Sequence, residues 1–266
     1  MKNSKYIVLI TLFLFYIQMP LMAQESTCEP NAENRIRIVD ENLPNAYTCY
    51  MEMRRGWFSK KLGTGMLIHP RVVLTAGHNT AFYMFSKSFP FVASSVQNAT
   101  MYFGSIDKDN YLVKQSVRLK TGKTKFFNSA YWVNGHISRD FSIIILPDDS
   151  VYNAVGGHYV LKPVKTTEDI EGPIHLTGSP GNEAVHEIWT EESQNFKISS
   201  SKLSYDLFTA PRNSGSPVWT LNNEGQYQVV GVHSRKDNSC NASVLINDET
   251  YNQIVEWCKQ AGIELK

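Results

Sequence analysis

The chain lacks a charge excess, and it has few cysteines. Its 26 Lys and Arg residues nearly balance 25 Asp and Glu residues, which leaves a formal net charge of +1. Nucleic acids and anionic membranes attract proteins with a basic surplus, so we expect neither partner. None of the four cysteines lies at the C-x-x-C spacing typical of zinc sites, and no two histidines lie at H-x-x-x-H spacing. We therefore expect no metal site.

Long apolar runs are also scarce, and the longest lies near the amino terminus. It extends from Tyr6 to Ile17, between two lysines and a small residue. This arrangement is typical of a secretory signal, and the run is shorter than the roughly 20 residues of a membrane-spanning helix. The sequence predicts a signal peptide at 1–23, a secreted (extracellular or periplasmic) protein, and no stable membrane association after signal removal. An uncleaved membrane anchor is the alternative.

Export makes disulfide bonds feasible, because extracellular compartments are oxidising. The four cysteines are Cys28, Cys49, Cys240 and Cys258. Four cysteines allow three different pairings, and sequence spacing does not choose among them. All three pairings therefore stay open.

Helical periodicity is scarce before the carboxyl terminus, whereas short β-like runs separated by turn signals recur. Examples are Gly63–His69, Val72–Ala76, Phe141–Leu146, Val185–Thr190 and Gln228–His233. One helix is predicted near the end, between Asp248 as N-cap and Gly262 as stop. Many short strands and one terminal helix favour an all-β fold of barrels or a sandwich.

Three polar residues stand at the edges of predicted strands. His78 follows the apolar run in VVLTAGHN, Asp140 precedes the run in SRDFSIIILP, and Ser214 lies in the turn sequence NSGSP. Taken singly, each has an ordinary explanation: a structural histidine, a turn-capping aspartate, and a serine in a tight polar turn. Their occurrence together, in the order His, Asp, Ser, is far less expected by chance. The combination indicates one catalytic site.

The three residue types complement one another chemically. A serine hydroxyl is a weak nucleophile at neutral pH and needs a base within hydrogen-bond reach. Histidine suits that role because its pKa lies near neutrality. A buried carboxylate holds the imidazole in one tautomer and stabilises the imidazolium that forms. A glycine after the serine allows a tight turn that directs backbone N–H groups at a developing oxyanion.

The same motifs resemble those of chymotrypsin-fold serine proteases, and the chain is most similar to their bacterial glutamyl endopeptidase branch. LTAGH resembles the histidine motif, RDFSIIIL the aspartate motif and NSGSPV the serine motif. HLTGSPGNEAVHEIW resembles a strand-turn-strand of the second barrel. The resemblance implies an all-β fold of two six-stranded antiparallel β-barrels with a C-terminal α-helix. It also implies one protease domain at 38–266, with its site in the cleft between the barrels.

The resemblance further implies a role for each site residue. Ser214 would be the nucleophile, His78 the general base and acid, and Asp140 the residue that orients the imidazole. The backbone N–H groups of Arg212 and Ser214 would form the oxyanion hole. The chain would be a monomeric serine endopeptidase that acts on protein or peptide substrates and needs no metal or organic cofactor.

The chain departs from the family at Arg212, where most relatives have glycine. Glycine adopts the required turn at little steric cost, whereas arginine retains the N–H but strains the turn. Loss of one oxyanion donor costs about 2.7–4 kcal/mol of transition-state stabilisation. A catalytically weak or inactive protease homologue that acts as a binding protein is therefore the alternative function.

The resemblance also addresses substrate preference. Thr209 and His233 stand where glutamyl endopeptidases bind the substrate carboxylate, and Ser234 follows directly. Hydroxyl and imidazole N–H groups both donate charge-assisted hydrogen bonds to a carboxylate. Arg235 and Lys236 come next and either narrow the pocket mouth or attract acidic substrates. We expect cleavage after Glu, with cleavage after a small or neutral residue as the alternative, and no trypsin-like cleavage after Lys or Arg.

The polar segment 24–37 resembles a short pro-segment or an extended arm. In glutamyl endopeptidases the mature N-terminal amine contributes to binding of the acidic residue. Arg35 and Arg37 offer processing points that would expose Ile36 or Ile38. The sequence thus predicts a pro-segment at 24–37 that is removed by cleavage after Arg35 or Arg37.

Overall fold

Strands predominate in the computed structural model. It describes residues 28, 30, 34–40, 43–55, 59–82, 94–119, 126–129, 136–237 and 239–265. The predicted signal peptide at 1–23 lies outside the described residues, and only part of the predicted pro-segment lies within them.

The strands are numbered in chain order. They are β1 Ile36–Arg37, β2 Thr48–Arg55, β3 Ser59–His69, β4 Val72–Thr75, β5 Ala81–Phe82, β6 Ser94–Ser95, β7 Asn98–Phe103, β8 Val113–Arg118, β9 Phe126–Asn128, β10 Ser142–Ile145, β11 Val160–Leu161, β12 Ile174–Gly178, β13 Trp189–Ser193, β14 Phe196–Ser199, β15 Lys202–Tyr205, β16 Pro217–Leu221, β17 Tyr227–Asp237 and β18 Cys240–Leu245.

Most of the described strands form two large sheets, each curled into a half-barrel, and β5 and β6 pair separately. The first has the order β8-β7-β2-β3-β4-β10-β9, and the second has the order β1-β13-β12-β16-β17-β18-β15-β14. Neighbours along these paths are antiparallel, whereas the short strand β11 pairs with β17 in parallel. Two antiparallel barrels were predicted with six strands each; within the described residues the sheets have seven and nine strands.

Side-chain alternation explains how the strands build the cores. Along β7, intermediate and buried residues alternate, so Ala99, Met101 and Phe103 all point inward. All four residues of β10 are buried, and the strand pairs with β4 on one edge and with β9 on the other. Because successive side chains point to opposite faces, its near-continuous apolar sequence reflects burial of both faces of the strand.

Two α-helices complete the described fold. The short helix α1, Ser150–Val155, was not predicted because six residues are too few to show helical periodicity. The terminal helix α2, Asp248–Gln260, was predicted, but its N-cap is Asn247 rather than Asp248. The Asn247 Oδ1 atom accepts the Thr250 N–H at 2.9 Å. Trp257 of α2 packs against aromatic rings of the first barrel.

None of the three complete cysteine pairings is present among the four described cysteines, because only one disulfide forms. Cys28 and Cys240 form a disulfide, whereas Cys49 and Cys258 are free and buried. Burial raises the pKa of the Cys258 thiol to about 11 and raises that of Cys49 as well, so neither thiol is ionised near neutrality. Within the described part of the chain, no helix has the length and apolarity needed to cross a membrane.

Candidate active site

Strand pairing brings His78 and Asp140 together. Strands β4 and β10 are antiparallel, with Thr75 opposite Ser142. The end of β4 therefore meets the beginning of β10, and a 3-10 turn after β4 contains His78 while Asp140 lies just before β10. The His78 Nδ1 atom is 2.7 Å from Asp140 Oδ2, and the His78 backbone N–H donates to Asp140 Oδ1 at 2.8 Å. Both carboxylate oxygens thus hold the same histidine.

Asp140 is fully buried yet ionised. Burial by itself raises the pKa of a carboxyl group, but hydrogen bonds from His78 and Ser234 oppose it, and the net pKa is lowered. The Ser234 hydroxyl donates to Asp140 Oδ2 at 2.5 Å. Sequence reasoning assigned Ser234 to the substrate pocket and missed this bond. The carboxylate is therefore a fixed negative charge behind the imidazole.

Ser214 lies in a tight turn between the two barrels. Its carbonyl accepts the Thr64 N–H at 2.9 Å and the Asn79 side-chain amide at 2.7 Å. Both donors belong to the first barrel, so they hold the serine of the second barrel against the edge that contains His78. The Ser214 hydroxyl donates to the Ser234 carbonyl at 3.3 Å. A side chain at Gly215, where φ is +90°, would collide with the Thr64 carbonyl.

The turn before Ser214 has the form expected of a type II β-turn. The Asn213 N–H donates to the Ala210 carbonyl at 3.1 Å, with Pro211 and Arg212 between them. Proline suits the first central position, and the second requires a positive φ, which Arg212 adopts at +80°. The Pro211 carbonyl faces Gly181. Because the two groups of a trans peptide point in opposite directions, the Arg212 N–H points away from Gly181.

The Arg212 side chain offsets the strain of this backbone conformation. A left-handed conformation costs a non-glycine residue roughly 1–2 kcal/mol. The guanidinium donates to the backbone carbonyls of Pro180, Glu183 and Ala184, at 2.8 Å for Glu183. All three contacts come from Nη2, whose two hydrogens form at most two full bonds, and a hydrogen bond to a charged group contributes about 1.5–3 kcal/mol. Arginine at this position is therefore anchored to the neighbouring loop.

A cavity of about 430 Å³ opens beside Ser214. The three predicted specificity residues, Thr209, His233 and Ser234, line this cavity. Arg235 and Lys236 line it too, as do Asn241 and Pro30. The Thr209 hydroxyl donates to the Asn241 side-chain oxygen at 2.7 Å.

His233 is buried in its neutral form. Burial, with a smaller contribution from His78, lowers its pKa to about 3, and Asp140 opposes the shift. The His233 Nδ1 atom is 2.7 Å from the Tyr205 hydroxyl, and burial keeps the pKa of Tyr205 well above its ordinary value. When the phenol donates to Nδ1, the imidazole hydrogen lies on Nε2. His233 is thus a neutral imidazole held from behind by Tyr205.

Glu191 supports the other side of the pocket. Its Oε2 atom accepts the Phe208 N–H at 2.7 Å, one residue before Thr209. Burial raises the pKa of Glu191 to about 7, Phe208 and Arg35 lower it, and Asp206 raises it. Protonation of this carboxyl group thus changes near neutrality. Among the described residues, no three His, Cys, Asp or Glu side chains are grouped to hold a metal ion.

Comparison with known sequences identifies partial relatives. No family model matches the chain. Curated relatives include glutamyl endopeptidases of Staphylococcus epidermidis, 38% identical over 94 residues, and of Staphylococcus aureus (strain MW2), 32% identical over 98 residues. These matches cover 34% and 35% of this chain, and 32% and 29% of the relatives. The matched region therefore spans about a third of the relatives' length.

Comparison with solved structures extends over most of the chain. A Glu endopeptidase in complex with MPD superposes with a TM-score of 0.67 at 19% identity, over 85% of this chain and 97% of that chain. The protease Anisep from Arthrobacter nicotinovorans superposes with a TM-score of 0.61 at 13% identity, over 82% and 98%. The predicted two-barrel fold and the resemblance to glutamyl endopeptidase-like, chymotrypsin-fold proteases are confirmed.

Proposed function

We propose that the protein is a serine endopeptidase that cuts protein or peptide substrates through His78, Asp140 and Ser214. One observation supports this most strongly: the buried, ionised Asp140 binds the His78 imidazole at 2.7 Å. A histidine that is merely structural does not need a buried charge behind it, because burying an ionised carboxylate costs free energy. The hydrogen bonds from Thr64 and Asn79 to Ser214 give the nucleophile a fixed backbone position.

The proposed mechanism follows from these contacts. Ser214 Oγ attacks the scissile carbonyl while His78 accepts its proton, and Asp140 stabilises the resulting imidazolium. The carbonyl oxygen becomes an oxyanion that binds the backbone N–H groups of Ser214 and Arg212. His78 then donates the proton to the leaving amine. Water hydrolyses the acyl-enzyme by the same steps with His78 again acting as base.

We extend the proposal to a preference for Glu on the amino-terminal side of the cut bond. The cavity is lined by a neutral His233, which in its Nε2–H tautomer donates a hydrogen bond, and by Arg235 and Lys236. A carboxylate would receive a hydrogen bond and a favourable charge environment there. A small neutral residue is the alternative occupant. The Thr209 hydroxyl would bind the same substrate carboxylate only after giving up its hydrogen bond to the Asn241 side chain.

Secretion after removal of residues 1–23 also belongs to the proposal. The Cys28–Cys240 disulfide supports it, because disulfides persist in oxidising compartments. Processing at Arg35 or Arg37, the monomeric state and the protease domain at 38–266 stay predictions.

An inactive, substrate-binding homologue is the second candidate, and the positive φ of Arg212 favours it. The strained residue is one of the two proposed oxyanion donors. If the turn relaxes, one donor is lost and catalysis weakens by about two to three orders of magnitude.

Covalent labelling with a fluorophosphonate separates the two candidates. We expect wild-type protein to be labelled at Ser214 and the Ser214→Ala variant to be unlabelled, while Ser199→Ala, at the exposed end of β14, labels normally. A digested peptide library analysed by mass spectrometry then reports the cleavage preference. Absence of labelling from folded wild-type protein at neutral pH would favour the binding homologue. Labelling without enrichment of Glu at the cut would remove only the specificity proposal.

A further inference from the structure

The N-terminal segment, described at Cys28, Pro30 and residues 34–38, reaches the substrate cavity at Pro30 and is bonded covalently to the domain through Cys28. Cys28 is linked to Cys240, which begins β18 and pairs with Asp237 at the end of β17. Strand β17 contains His233 and the basic residues at the cavity rim. Two residues after Cys28, Pro30 lines the same cavity as Ser214 and His233. The disulfide thus ties Pro30 to the strand pair that forms the pocket.

Arg35 anchors the segment on its other side. Its guanidinium lies 5.0 Å from the Trp189 ring centroid and 4.5 Å from that of Phe208, and it pairs with Glu183 at 2.9 Å. Only 9% of the Arg35 side chain is exposed. A processing enzyme that cuts after arginine must take up this side chain, and the fold holds it between two aromatic rings. Phe208 also directly precedes Thr209, so this anchor adjoins the pocket.

Residues 36–38 continue the sheet of the second barrel. Strand β1 pairs antiparallel with β13, and the Ile38 N–H donates to the Ile188 carbonyl at 3.0 Å. The Ile38 side chain is buried with Tyr50 and Ile188, and Arg37 pairs with Glu187. This segment therefore packs as an integral edge of the domain.

The segment is also linked to the oxyanion turn. The Glu183 carboxylate binds Arg35, while the Glu183 carbonyl accepts from the Arg212 guanidinium. One loop residue therefore connects the N-terminal segment to the residue that supplies a proposed oxyanion donor.

We propose that Pro30 is a permanent wall residue of the substrate pocket in the active protein and determines specificity, and that the Cys28–Cys240 disulfide and residues 34–38 hold it there. A cut after Arg37 would leave Pro30 in place, because the disulfide retains everything attached to Cys28. This proposal rests on the proposed protease function and specifies the pocket of the same site. It differs from a pro-segment that departs on activation.

The first test determines whether the folded protein retains the segment. Protein recovered from the medium of an expressing strain is analysed by intact mass and peptide mapping, with and without reduction. We expect a peptide containing Cys28 joined to Cys240, either in one chain or as a fragment released only on reduction. Folded protein that begins at Ile36 or Ile38 and contains a free Cys240 thiol would overturn the proposal, whether or not Ser214 reacts with a fluorophosphonate.

The second test addresses specificity. Pro30→Gly removes the ring from the cavity wall, and Pro163→Gly, at an exposed position outside that wall, is the matched control. We expect Pro30→Gly to change the ratio of kcat/KM between peptides cut after Glu and after Ala by about fivefold or more, since small changes in a pocket wall alter discrimination by such factors. The Pro163→Gly control should keep both the wild-type ratio and the wild-type labelling rate of Ser214.

The outcomes separate the two proposals. An unlabelled wild-type Ser214 contradicts the protease function. The mass analysis of the Cys28–Cys240 peptide still tests, in that case, whether the N-terminal segment is retained. A labelled Pro30→Gly variant with wild-type selectivity contradicts the role of Pro30. Should Pro30→Gly fail to label, thermal unfolding and the milder variant Pro30→Ala distinguish misfolding from a specific effect; unchanged selectivity of a folded Pro30→Ala variant also counts against the proposal.

Discussion

The two barrels contribute to the site by different physical means. In the first barrel, His78 and Asp140 lie at the ends of β4 and β10, and strand register alone brings them together. In the second barrel, Ser214 lies in a turn whose position depends on donors from the first barrel and on the positive φ of Arg212. The acid–base pair is therefore built into a sheet, whereas the nucleophile is held by interactions between barrels.

This difference implies different sensitivities to mutation. A change at the acid–base pair should remove the chemistry while leaving the sheets intact. A change at the turn should affect stability and catalysis together. Three experiments test that contrast, and a fourth, at Glu191, tests the pocket beside the turn; they run from the largest expected effect to the smallest.

Asp140→Asn should have the largest effect on catalysis. An amide cannot hold the His78 tautomer that accepts the serine proton, and in a triad this change lowers kcat about 10⁴-fold. Peptide hydrolysis at neutral pH measures the effect, with exposed Asp149→Asn as control. Because strand register positions both residues, circular dichroism should show an unchanged fold. A loss of kcat smaller than tenfold would contradict the assigned role.

Glu191→Gln should change how stability depends on pH. The pKa of Glu191 is raised to about 7, so its contribution to stability is complete below the ordinary carboxyl value near 4.5 and falls as pH rises through 7. Glutamine does not ionise, and its oxygen still accepts the Phe208 N–H. As pH rises from 4 to 8, the unfolding free energy of wild type should therefore fall relative to that of the variant, by as much as about 3 kcal/mol.

Denaturant unfolding across this pH range measures the difference between the two proteins. His233, whose pKa is lowered to about 3, loses its contribution as pH falls from about 6.5. This opposite effect is common to both proteins and cancels in the comparison. Parallel stability curves for wild type and variant would show that Glu191 does not titrate near neutrality.

Asn79→Ala should weaken the connection between the barrels. It removes the 2.7 Å bond to the Ser214 carbonyl, which keeps only the Thr64 N–H. The substitution also removes the 3.0 Å bond from the Asn79 amide to the Thr75 hydroxyl. We expect a loss of about 2 kcal/mol in unfolding free energy, roughly 1 kcal/mol for each of the two hydrogen bonds, together with slower labelling of Ser214. Asn195→Ala, at an exposed position between β13 and β14, is the control. A destabilised Asn79→Ala variant that is labelled at the normal rate would show that the Asn79 bond stabilises the fold but does not position the nucleophile.

The comparison of two substitutions at Arg212 should give the smallest difference, and it isolates the backbone strain. Both Arg212→Gly and Arg212→Ala lose the guanidinium bonds, but only glycine adopts φ near +80° without strain. Arg212→Gly should therefore be more stable than Arg212→Ala by about 1 kcal/mol, as measured by chemical denaturation. Equal stability of the two variants would show that the turn relaxes when the side chain is removed.

Several features of the fold were readable from local patterns. The apolar runs ending at His78 and following Asp140 are β4 and β10, and the terminal helix lies where its periodicity predicts it. The run predicted at Val185–Thr190 becomes a strand only from Trp189. His186 has φ +76° there, and a residue in this conformation interrupts an extended strand. The N-cap was misplaced by one residue because Asn247 and Asp248 are both good caps.

Other features have no local signal. Nothing in the sequence near Ser234 shows that its hydroxyl binds Asp140, and nothing near Thr64 or Asn79 shows that they bind the Ser214 carbonyl. These bonds join residues far apart along the chain. Strand pairing and barrel packing decide such contacts, and neither follows from the spacing of a motif.

The sequence by itself determined the strand-rich fold and the three residue types of the candidate triad, because period-two burial and short motifs are local properties. Only the tertiary structure decided that Cys28 pairs with Cys240 and that Pro30 lines the pocket. It also decided that the Arg212 guanidinium binds the loop at Glu183. Each of these depends on how the two barrels and the N-terminal segment pack, and packing brings together residues that no local pattern relates.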